Sequence, residues 1–196
     1  MDVQTYAVIT DLCARLAGRM ADDTLRGIRE DYSAGEPVQA EAALLLTMGY
    51  ENIGITKEEH DVIESVVDDQ NRADLAAVPI IDEVPLWYRF SGRGPAGAPD
   101  PGEVDAQLSA NAALVGGRRL RRAWRDPLPG APDGAGWVYV LQVSADVDQL
   151  SAFASLSSRL WVALQDKSPM EVVVEGRQLP PYQAAAVTVA PRIWSV

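Results

Sequence analysis

Hydrophobic positions in residues 1–70 recur at three- and four-residue spacing, which is the period of helices with one buried face. Ile9, Leu12, Cys13, Leu16, Ala17 and Met20 form one such stripe and predict a first helix running through all six. Asp22 or Thr24 is placed to cap a second helix, in which Leu25, Ile28 and Tyr32 share a side and which stops near Gly35. Pro37 then takes the first-turn position of a third helix carrying Val38, Ala42, Leu45 and Leu46. The fourth helix has the clearest start. Thr56 is spaced to accept from the backbone N–H of Glu59 while Glu59 reaches back, a capping box ahead of Val62, Ile63, Val66 and Val67. Four short helices are expected to form a small bundle.

From Val84 the pattern changes. PLWYRFS reads as a strand, GRGPAGAPDPG as an exposed loop, and Asp100, Pro101 and Glu103 as the start of a helix with Val104, Leu108, Ala112 and Val115 on its inner side. That helix is expected to end at Gly116-Gly117. In the next strand, period two sends Arg118, Leu120, Arg122 and Trp124 one way and Arg119, Arg121, Ala123 and Arg125 the other, with Leu120 and Trp124 marking the inner face. After the loop DPLPGAPDGAG, WVYVLQV reads as a central strand. Asp146 with Gln149 resembles a second capping box, opening a long helix whose face is Val147, Leu150, Ala154, Ser157, Trp161 and Leu164. MEVVVEG and YQAAAVTVAPRIW are read as closing strands. The order predicts an α+β chain: an acidic helical subdomain at 1–83, then at 84–196 a ferredoxin-like, split β-α-β antiparallel sheet with helices on one face.

Composition adds one asymmetry to this picture. Residues 1–83 hold 18 Asp and Glu against 6 Lys and Arg, a net −12, whereas residues 84–196 hold 10 against 11, a net +1. A field of the first sign repels nucleic acid and anionic membranes and favours a basic partner. The start of the chain lacks a basic segment followed by an apolar run, no apolar stretch approaches the roughly 18 residues of a membrane span, and Cys13 is the only cysteine. A cytoplasmic protein without disulfides is expected.

Recognisable catalytic equipment is sparse. One His and one Cys cannot assemble a His/Cys metal cluster, carboxylates show no EF-hand spacing, and the phosphate-loop, dinucleotide and nucleophile-elbow motifs are missing from the sequence. No metal, cofactor or enzymatic activity is expected. His60 reads as a solvated helix residue beside Glu58, Glu59 and Asp61, and Cys13 as a small buried hydrophobe. The acidic pairs Asp22-Asp23, Glu30-Asp31, Glu58-Glu59 and Asp68-Asp69 read as solvated helix faces. GGRRLRRAWRDP, from Gly116 to Pro127, places five arginines in eight residues, but a half of net +1 is not a nucleic-acid grip. The expectation is instead that Arg119, Arg121 and Arg125 meet acids of the helical half.

Three features carry a resemblance: the acid-aromatic-x-x-Gly-Glu connector from Asp31 to Glu36, the Leu-rich helix after it, and Ile-Thr-x-x-Glu from Ile55 to Glu59. Over roughly residues 20–70 the chain resembles the Maf-type immunity proteins of bacterial toxin systems. That family is shorter, and the second half has no counterpart in it. The resemblance implies a cognate toxin domain, inhibited by tight binding that occludes its active or substrate-binding site. With the acidic charge, it selects Glu30, Asp31, Tyr32, Glu36, Tyr50, Glu51, Glu58, Glu59 and Asp61 as partner-binding residues. If the toxin is not a nuclease, the two Gly/Pro loops are the alternative binding elements. The competing reading is a homodimeric ligand-binding or regulatory module built on the second half.

Overall fold

The structure, a computed structural model, describes residues 3–67 and 71–196, so the Asp68-Asp69 pair lies outside the described residues. The chain divides into two compact units, Met1–Leu86 and Trp87–Val196. It is α+β: the first unit is helical and the second holds a mixed, open five-stranded sheet.

In the first unit, α1 (Val3–Arg15), α2 (Asp22–Ala34), α3 (Pro37–Tyr50), α4 (Lys57–Glu64) and the single turn α5 (Arg72–Leu75) surround an apolar core. The stripe from Ile9 to Met20 is buried throughout, but the helix ends at Arg15, and Leu16–Met20 form a turn closed by a bridge between Ala17 and Met20. Apolar periodicity thus outruns the helix. Neither Asp22 nor Thr24 caps α2: Asp22 is its first residue, after Ala21. Gly35, in the left-handed conformation, stops α2, and Pro37 opens α3. The buried side of α3 is Ala40, Leu44, Leu45 and Met48, whereas Val38 and Leu46, expected inside, are exposed. The capping box at Thr56 is present in both directions, with Glu59 N donating to Thr56 Oγ1 at 3.1 Å and Thr56 N donating to Glu59 Oε2 at 2.9 Å. A short parallel ladder also forms between β1 (Ile55–Thr56) and β2 (Ile80–Ile81). Two residues per strand carry no legible period.

In the second unit, β3 (Tyr88–Ser91), β4 (Gly117–Pro127), β5 (Gly136–Val143) and β6 (Met170–Val174) lie side by side in chain order. The first two pairings are antiparallel, and β5 with β6, joined through α7 (Gln149–Leu164), is parallel. The split β-α-β arrangement would instead set β3 parallel beside β5. At eleven residues β4 is long enough for one edge to take both β3, along residues 124–127, and β7 (Arg192–Ser195), along residues 119–121. Helices cover both faces of the sheet, not one. On one face α6 (Gly102–Ala112) and α7 pack over Leu120, Tyr139, Leu141, Met170 and Val172.

The other face is covered by α8 (Pro181–Val189), in a segment whose sequence reads as strand. Pro180 and Pro181 set up a helix start, and buried Tyr182, Ala186 and Ala190 repeat every four residues. The Val and Thr content favours β, and the tertiary fit of that stripe overrides it. Two further registers shift. Asp148, not Asp146, caps α7, accepting from Leu150 N and Ser151 N, and the buried side of α7 is Leu150, Phe153, Leu156 and Leu160, leaving Trp161 exposed.

Candidate functional site

The first unit concentrates negative charge, and five of its six cations, Arg15, Arg19, Arg26, Arg29 and Lys57, are engaged within it. Val84, Pro85 and Leu86 add none, so Met1–Leu86 retains the net −12. Arg15 pairs with Asp11 at 2.7 Å and Glu58 at 3.6 Å, Arg26 pairs with Asp23, and Lys57 pairs with Asp61. Arg19 pairs with Glu59, and Arg29 donates to the carbonyl of Cys13 at 3.0 Å. Glu30, Glu36, Glu51, Asp82 and Glu83 are exposed and make no ion pair among the described residues.

The nine residues selected from the sequence separate into surface and interior. Glu30, Glu36, Tyr50, Glu51, Glu58 and Asp61 are exposed, and Asp31 is half-buried, its carbonyl accepting from Glu36 N at 2.9 Å in the turn that ends α2. Asp61 is held below the usual carboxylate range by its hydrogen bond from Lys57. Two residues are withdrawn. Tyr32 is 2% exposed, packed in the core with its hydroxyl pushed above the ordinary tyrosine pKa by burial and then by the neighbouring Cys13 and Glu41. Glu59 is a structural anion: its side chain and that of Arg19 are each 4% exposed, and Arg19 donates to it at 2.8 and 3.1 Å from Nη1 and 3.1 Å from Nη2. Arg19 Nη2 also donates to the carbonyl of Gly54. The carboxylate that caps α4 therefore also ties the turn after α1 to the start of α4, and local spacing reveals only the first task.

One further group, without a sequence signature, lies on α4. Among the described residues, His60, Asp61 and Glu64 bring one ligand-type atom each within 4.8 Å of one another. One oxygen of Asp61 is already held by Lys57, with His60 Nδ1 3.6 Å away. This is surface ion pairing, and nothing in it assigns a metal.

The arginine-rich strand finds guanidinium partners within Trp87–Val196 itself. Arg119 pairs with Glu175 at 2.6 Å, Arg121 donates to the carbonyl of Ala190 at 2.9 Å, and Arg122 pairs with Asp105 while stacking 4.4 Å over Trp137. Arg125, expected outside, is 4% exposed under α8. It donates to the Tyr182 hydroxyl at 3.1 Å and to the carbonyl of Gly134 at 3.3 Å, and lies 4.8 Å over Tyr88. A strand in place of α8 would leave this face open, which is why the sequence pattern sets Arg125 in solvent. On the opposite face Asp105 also accepts from the Tyr139 hydroxyl at 3.0 Å, and burial, followed by Asp105, pushes Tyr139 above its ordinary pKa. Arg121, Arg122 and Arg125 hold helices to a sheet.

The exposed side of α3 completes the acidic unit's surface: Val38, Leu46 and Tyr50 are 54%, 58% and 89% exposed, between Glu36 at one end and Glu51 at the other. No helix among the described residues is long and apolar enough to cross a membrane. Comparison with family models, with curated proteins and with solved structures gives no match to this chain.

Proposed function

We propose that this chain is an immunity protein, which binds a basic toxin domain through its acidic helical unit and blocks the toxin's active or substrate-binding site. The single observation that carries the reading is the net −12 of Met1–Leu86, with five of its six cations engaged internally and a set of exposed acids, free of ion pairs among the described residues, left facing solvent. Such a surface accelerates encounter with a positively charged partner and resists anionic competitors. The segments resembling Maf-type immunity proteins, Asp31–Glu36 and Ile55–Glu59, lie in this same unit. The role implies residence in the cytoplasm of the cell that makes the toxin.

The test is co-expression of the tagged chain with the product of the adjacent gene in its genome, followed by native mass spectrometry and a growth assay. A one-to-one complex that survives high salt, with rescue of cells that the neighbour alone kills, is the expected result. A lone chain or homodimer beside a harmless neighbour refutes the role and redirects the search to small ligands of the second unit.

A further inference from the structure

The helix α3 is apolar on two opposite sides. Ala40, Leu44, Leu45 and Met48 are buried, while Val38, Ala42, Leu46 and Tyr50 fall within about 120° of arc on the other side, at about 100° per residue, an arc in which Gln39 is the one polar side chain. The only charged residue of the helix is Glu41, which accepts from Asn71 Nδ2 at 2.7 Å. A helix that needed only to be solvated on its outer side would carry charges there, and one that is apolar all round is ordinarily covered. Tyr50, at the C-terminal end of the stripe, is a large amphipathic ring held out in solvent, the residue class that anchors interfaces.

We infer that the outward face of α3, formed by Val38, Ala42, Leu46 and Tyr50, is a docking surface for a second polypeptide whose site is apolar at its centre and basic at its rim; this rests on the binding role proposed above. Charge selects the occupant. Glu36 and Glu51 bracket the stripe, and the unit around it has a net −12, so a second copy of the chain would bring two strongly negative surfaces together. A basic rim neutralises these carboxylates while the apolar residues are buried, the arrangement of a hydrophobic interface core with a polar surround. The stripe holds the complex and the acids speed its formation.

The experiment uses the full chain and the co-expressed neighbour's product as the probe, with affinity and rates measured by surface plasmon resonance at about 0.15 M and 0.5 M salt. Leu46→Asp and Tyr50→Ala are expected to weaken binding at least about 30-fold, mainly through faster dissociation, with thermal midpoints within about 2 °C of the parent chain. Glu36→Gln with Glu51→Gln is expected to slow association and flatten its salt dependence. Wild-type binding with both stripe variants within about 3-fold of it leaves the binding role standing and overturns this surface. Absence of any wild-type complex overturns both. A midpoint that falls by more than about 5 °C in Leu46→Asp shows the leucine packing within the chain, and a wild-type homodimer dispersed by that substitution shows a second copy as occupant; either result overturns the inference.

Discussion

Replacing Glu59 by Ala removes one carboxylate from two partners at once. Arg19 loses acceptors at 2.8, 3.1 and 3.1 Å, Thr56 N loses its reciprocal cap at 2.9 Å, and the guanidinium remains behind in a site 4% exposed, with the Gly54 carbonyl still in place. Breaking a buried pair from one side costs about 3–5 kcal/mol, chiefly because the surviving charge is stranded. Against the roughly 5–15 kcal/mol of a typical domain, that is enough to unfold a large fraction of a marginal protein. Glu59→Gln retains the shape and one acceptor and should cost less, about 1–3 kcal/mol. Urea unfolding followed by circular dichroism at 222 nm reads the helices of both units, and the tryptophans, all in the second unit, separate its transition from that of the first. The decisive comparison is the double substitution Arg19→Met with Glu59→Met, which leaves no stranded charge and should be less destabilising than the two single changes summed by at least about 2 kcal/mol. A Glu59→Ala loss below about 1 kcal/mol, or strict additivity in the cycle, refutes the assignment of Glu59 as a structural anion.

The Tyr32 hydroxyl oxygen is buried with no hydrogen-bond partner among the described residues, so Tyr32→Phe should raise stability by about 1 kcal/mol in thermal melts; a loss of similar size refutes the orphaned hydroxyl. Burial raises the folded pKa of Tyr32 and Tyr139, so both favour folding below the unfolded value of about 10, and that contribution is lost as pH rises beyond it. Urea midpoints should therefore decline above about pH 10, less steeply in Tyr32→Phe, and an equal slope in the variant contradicts the shift. Gly116 has φ +75° and a Cβ at that position would overlap Val147 Cγ2, whereas Gly35 at φ +80° has open space around it. Gly116→Ala should thus lose clearly more stability than Gly35→Ala, which costs only about 1 kcal/mol of backbone strain. Tryptophan fluorescence suits the former, since all five tryptophans lie in the second unit, from Trp87 onward, and equal losses would refute the steric argument.

What the sequence determined by itself was whatever is decided within three or four residues, or by composition. The capping box at Thr56, the stop at Gly35 followed by Pro37, and the buried row Leu25–Ile28–Tyr32 are set by near neighbours along one helix. The division of charge needs only counting. Of the selected surface residues, Glu30, Glu36, Tyr50, Glu51, Glu58 and Asp61 are exposed, because acids and helix ends favour water wherever the helix lies. Tertiary structure decided which residues were taken back. Glu59 answers Arg19 across forty positions, and no local spacing encodes that pairing. Arg125 is interior only because α8 closes over it, and the pairing of β3 and β7 along one edge of β4 joins segments about a hundred residues apart. The exposure of Val38 and Leu46 was equally hidden, since an apolar helix has no marked side until its neighbours choose one. Local hydrogen bonding and periodicity are properties of a segment, whereas burial is a property of what packs on it.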